Sequence, residues 1–153
     1  MAARVKVTRK KLHQIKLPQS GGVYVGFPVG TAQGIIERAT WNEFGTRRIP
    51  ERPFMRRSLK GNRAKYQAFM RQQAKQIIEN KQTVGRSLSM LGIMAQGDIQ
   101  HEISVLRDPP NAPSTIARKG SSKPLIDTGQ MRQSVTYRAV SYTHLTLPTN
   151  REV

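Results

Sequence analysis

Residues 84–106 read VGRSLSMLGIMAQGDIQHEISVL, and the fold turns on them. Leu88, Leu91, Ala95, Ile99, Ile103 and Leu106 recur at spacings of three or four, which puts them on one face of a helix. The spacing predicts a helix from about Val84 to Leu106. Arg107-Asp108-Pro109-Pro110 ends it, since proline lacks the N–H that a further helical turn needs.

Upstream, Phe54, Leu59, Tyr66, Phe69, Met70 and Ile77 form the apolar stripe of another long helix reaching about Asn80. Gly61 either kinks this helix or divides it in two. Two long helices with a short connection pack antiparallel most simply. Ahead of them, Ile49-Pro50-Glu51-Arg52-Pro53-Phe54 is extended, because a residue before proline is pushed out of the α region. Pro53 then suits the first position of the next helix.

A shorter helix from Thr31 carries Ile35, Ile36, Ala39 and Phe44 near one face. Gly45 stops it in a left-handed conformation that a Cβ would penalise. On this reading Phe44 is a buried anchor, and Asn42-Glu43 is a solvent-facing helix end or else a polar binding pair. Val23-Tyr24-Val25-Gly26-Phe27 alternates as a strand, with Val23, Val25 and Phe27 on one face. Residues 1–22 form a basic arm with Arg4, Lys6, Arg9, Lys10, Lys11 and Lys16, broken by Pro18 and Ser20-Gly21-Gly22.

Downstream, residues 111–123 are rich in proline, serine and glycine and carry Arg118, Lys119 and Lys123. They form an ordered loop with one turn at residues 115–118, or a mobile arm. Asp127-Thr128 offers an N-cap to a short helix holding Met131, with Gly129 changing the chain direction. Residues 134–139 resume as a strand with Val135 and Tyr137 on one face. The expected fold is α+β: two long antiparallel helices packed with a small β-sheet, plus short helices and a long Pro/Ser/Gly-rich loop. It forms a single domain over residues 1–139.

Two islands flank the helical middle. Asn42-Glu43-Phe44-Gly45-Thr46 leads to Ile49-Pro50-Glu51-Arg52-Pro53-Phe54, and Leu125-Ile126-Asp127-Thr128-Gly129-Gln130-Met131-Arg132-Gln133-Ser134 follows later. In this order they resemble the small tail-component, or tail-completion, proteins of bacteriophages with long non-contractile tails. The resemblance covers about residues 23–138. It implies a structural virion protein made in the host cytoplasm, joined to other head–tail or tail proteins, with no catalytic residues. It also suggests a homo-oligomer at a ring-like stage of tail completion.

Residues 140–149, Val-Ser-Tyr-Thr-His-Leu-Thr-Leu-Pro-Thr, look like the translation of a transposase adaptor used in DNA library preparation. Natural sequence is therefore expected to run to about Ala139, with residues 140–153 set aside and the true C-terminus missing. A β-branched strand with a polar tail is the alternative reading.

The chain has 153 residues, about one domain. It carries 26 Lys and Arg against 9 Asp and Glu, a formal charge of +17 that creates a field attractive to polyanions and acidic protein surfaces. No window approaches the roughly 20 apolar residues of a membrane span. The absence of cysteine excludes disulfides, thiol catalysis and cysteine-ligated zinc. His101-Glu102 lacks the second histidine of a zinc helix, and no Gly-x-Ser-x-Gly elbow exists. No cofactor, metal or enzymatic role is expected. Arg47, Arg48, Arg52, Arg56 and Arg57 are denser than solubility needs. Arginine pairs bidentately with carboxylate or phosphate, so the cluster faces an acidic neighbour, DNA, or simply solvent. Assembly through Phe44, Phe54 and these cations is the favoured function; non-specific nucleic-acid binding is the rival.

Overall fold

Helix α4 (Val84–Val105) is the element on which the others pack. The computed structural model describes residues 20–142; the basic arm, apart from its last three residues, and residues 143–153 lie outside them. Thr83 opens α4 by accepting a hydrogen bond from the Arg86 N–H at 3.3 Å. The predicted stripe faces inward: Leu88, Ala95, Ile99, Ile103 and Leu106 are buried, and Leu91 is half-buried.

Strand β1 (Ser20–Gly26) pairs antiparallel with β2 (Thr136–Tyr142), and Val25 stands opposite Tyr137. Both strands lie on α4. Tyr24, one residue out of phase, is exposed, as the two-residue strand period requires. Gly92 makes this packing possible. A Cβ there would fall inside the Tyr137 ring. β2 continues past Ala139, with Val140 opposite Gly22.

The remaining elements are α1 (Gln33–Phe44), α2 (Phe54–Gly61), α3 (Arg63–Ile78), α5 (Pro113–Lys119) and α6 (Gln130–Gln133). With the sheet they make the chain an α+β protein. The helix expected over residues 54–80 is divided at Gly61 and Asn62 into α2 and α3. Its stripe is only partly buried. Phe54 is fully enclosed, but Leu59 is exposed, because the buried line of α2 runs from Phe54 to Ser58, four residues on. α3 buries only Gln73, whose Oε1 lies 3.2 Å from the buried Ser87 hydroxyl. Lys65 and Tyr66 bond Asp98 at 2.7 and 2.9 Å. Residues 111–123 hold the seven-residue helix α5 rather than a single turn, with Gly120 (φ 65°) ending it. The core joins Ala39, Phe54, Ile99, Ile103, Leu106, Leu125 and Val135.

Candidate functional site

The first island is held together by polar groups that the sequence reading placed in solvent. Ile35, Ala39 and Glu43 stand four apart on α1, and all three are buried. The face entering the core therefore ends on a carboxylate. Glu43 accepts hydrogen bonds from the backbone N–H groups of Met55 at 2.9 Å and Arg56 at 3.0 Å. These are donors in the first turn of α2, which has no intrahelical partner for them. A negative charge at a helix start is also favoured by the aligned peptide dipoles. Glu43 is a cap supplied across the fold, which corrects its reading as a solvent-facing end.

Phe44 is turned out as a consequence, a further correction. It is 66% exposed, and the Arg56 guanidinium lies 5.2 Å from its ring centroid. Gly45 follows with φ 73° and ψ 169°. This is positive φ but not the left-handed helical stop expected. Its second requirement is space, since a Cβ would come within 3.1 Å of the Glu51 nitrogen. Thr46 closes the turn: its hydroxyl oxygen accepts from the Ile49 N–H at 3.0 Å, and its N–H donates to the Ile49 carbonyl at 2.8 Å. Pro53 flanks α2 as the residue before its first.

Arg52 is buried, so it is no interface side chain, which corrects that expectation. Its N–H donates to the Asn42 carbonyl at 2.6 Å. Its guanidinium donates to the carbonyls of Pro109 (2.7 Å) and Pro110 (2.8 Å) and to Asn42 Oδ1 (3.2 Å). Burial lowers its pKa from the ordinary arginine value. Arg52 thus ties the first island to the chain segment that leaves α4. Arg56 donates to Glu43 at 3.1 Å and Glu51 at 2.6 Å. Arg57 lies 3.0 Å from Glu102 Oε1, outside hydrogen-bond alignment, as an ion pair. Arg47 and Arg48 are exposed, with no carboxylate partner among the described residues.

These contacts wall a groove of about 640 Å³ in which the two islands meet. It is lined by Arg38 and Asn42 of α1, by Arg48 and Pro50, and by Arg118, Lys119 and Asp127-Thr128-Gly129. Leu125 and Met131 add apolar surface. Burial lowers the Lys119 pKa; Asp127 opposes the shift, and Arg52 and Arg118 add to it. Lys119 Nζ sits 3.4 Å from the carbonyls of Lys123 and Pro124. Asp127 and Thr128 are exposed and make no cap, a correction; Gly129 (φ 79°) is itself the residue that starts α6. Of the sequence-predicted residues, Glu43, Phe44, Gly45, Arg47, Pro53, Arg56, Arg57 and Lys123 lie outside the groove, and Phe54 is in the core. Arg38 was missed. The signal was present, since it stands four residues before Asn42 and shares its helix face.

Among the described residues no cluster of His, Cys, Asp or Glu could hold a metal ion, and no helix is long and apolar enough to cross a membrane. No protein-family model matches the chain, and no curated protein or solved structure matches it significantly.

Proposed function

We propose that this chain is a structural subunit of a bacteriophage virion that acts in tail completion or head–tail joining through protein–protein assembly. The observation that carries the reading is the meeting of the two family-like islands. Residues far apart in sequence, Asn42, Arg48 to Pro50 and Arg52 of one island and Leu125 and Asp127 to Met131 of the other, line one groove beside the contacts of Glu43 and Arg52. The surface beside it offers docking chemistry. Trp41 and Phe44 stand three apart on α1 and are 42% and 66% exposed, an aromatic pair of the kind enriched at interfaces.

In this reading the partners are other head–tail or tail proteins and further copies of the chain, including a ring. α3 and α4 act as an antiparallel pair, since residues 66 and 73 meet 98 and 87 in opposite order. The virion tail or neck is the destination. Replacing both Trp41 and Phe44 by alanine tests the docking role: oligomeric state or particle incorporation is lost while the melting curve is kept. Unchanged assembly in that variant counts against the reading.

The formal charge of +17 favours a second reading, non-specific nucleic-acid binding. It predicts affinity for duplex DNA that falls steeply with salt as counterions are released. Weak, salt-insensitive binding removes it.

A further inference from the structure

The groove has a lining that selects among anions. Arg38, Arg48, Arg118 and Lys119 face a space that holds one carboxylate, Asp127. Arg52 also lines it, but its guanidinium is engaged by the Pro109 and Pro110 carbonyls. Clefts lined by one sign of charge focus the field and raise the local concentration of the opposite charge. Arg38 Nε already donates to the Gly34 carbonyl at 2.8 Å, and Lys119 Nζ lies 3.4 Å from the Lys123 and Pro124 carbonyls. The side chains of Arg48 and Arg118 bond no protein group among the described residues, and the planar fork of arginine matches a carboxylate through two parallel bonds.

The lining is mixed rather than uniformly charged. Ile49, Leu125 and Met131 add apolar surface to it. A volume of about 640 Å³ lies within the usual range of sites that enclose small ligands, and suits a few residues of extended chain. Among the described residues, no Phe, Tyr, Trp or His lines it. Bases therefore have no stacking platform, the feature on which single-strand binding sites rely.

We propose that this groove receives an acidic, extended segment of a neighbouring polypeptide, with alternate carboxylates on Arg48 and Arg118 and apolar side chains against Ile49, Leu125 and Met131. The proposal rests on the assembly reading and names the chemistry of the partner. At Lys119 burial first, and then the like charges of Arg52 and Arg118, oppose protonation, and a bound carboxylate offsets that charge contribution.

The test uses the full chain and a fluorescein-labelled peptide of alternating glutamate and leucine, about eight residues long, followed by anisotropy at moderate salt. Arg48→Glu/Arg118→Glu is compared with Arg63→Glu/Arg71→Glu, which makes the same charge change on exposed positions of α3. The groove variant weakens binding about tenfold or more, and the α3 variant about twofold or less. Equal losses in the two variants, or no peptide binding by the parent chain, overturn the proposal. So does tighter binding of a labelled oligothymidine that the groove variant abolishes, which assigns the site to nucleic acid. The peptide assay needs no virion, so its failure is separable from failure of the assembly reading. Normal particles made without the protein defeat that reading alone.

Discussion

Replacing Glu43 by alanine tests the scaffold beneath the proposed site. The side chain is almost fully enclosed, and its oxygens take two N–H groups from the start of α2. Removing it leaves those donors with no protein acceptor. A buried donor left unpaired costs about 1–3 kcal/mol, and water reaching one of the two holds the total to about 2–4 kcal/mol. At this chain length each kcal/mol lowers the melting temperature by roughly 2–4 °C, so a fall of about 4–16 °C is expected in thermal denaturation followed by circular dichroism. Glu43→Gln keeps the shape and one acceptor oxygen and loses about half as much. Phe44→Ala, one residue along, changes stability by about 0.5 kcal/mol or less, as exposed positions do. A Glu43→Ala protein that melts with the parent, or a Phe44→Ala protein that melts lower than Glu43→Ala, refutes the assignment of roles within this island.

Gly92 and Gly97 give a paired test on α4. Gly92→Ala drives a methyl into the Tyr137 ring, and overpacking of about 1–3 kcal/mol outweighs the roughly 1 kcal/mol that alanine gains in a helix. Gly97→Ala meets nothing within 4 Å and raises the melting temperature. Phe54→Ala empties the centre of the core and costs about 3–5 kcal/mol in urea denaturation. Tyr66 is held protonated by burial first and then by its bond to Asp98. The unfolded phenol ionises near pH 10, whereas the folded one resists, so the unfolded state binds fewer protons and stability falls as pH rises above about 10. Tyr66→Phe flattens that slope; an identical slope in the variant shows that another group is responsible.

The fold was legible where a single local pattern decided it. α4 declares itself through one apolar period, a threonine cap and a double proline, all within its own sequence. β1 was legible only from Val23 to Gly26: Ser20-Gly21-Gly22, expected to break the chain, are its first three residues, and Phe27 lies past its end. Glu43 was not legible, because its partners Met55 and Arg56 lie beyond an intervening turn and a charged residue next to phenylalanine reads as the exposed one. The spacing Ile35, Ala39, Glu43 held the correct answer, and hydrophobicity obscured it. Arg52 was hidden for the same reason: its acceptors are carbonyls 57 and 58 residues away. Asp127 has the residue type of a cap but lacks the bond, since Gly129 takes the position at the start of α6.

The groove could be sensed only as two islands that shared no obvious chemistry. Arg48, Arg118 and Lys119 stand out in the sequence by charge, and Asp127, Thr128 and Gly129 by turn formation. The fold places both sets along one cleft. That relation depends on how α4 hands the chain to Pro109 and Pro110, and no local signal encodes it.

The most direct test is electron microscopy of particles produced after the coding sequence is deleted from the genome that carries it. Heads and tails that fail to join, with intact virions restored by supplying the parent chain in trans, are predicted. Normal tailed particles in the deletion strain would contradict the account.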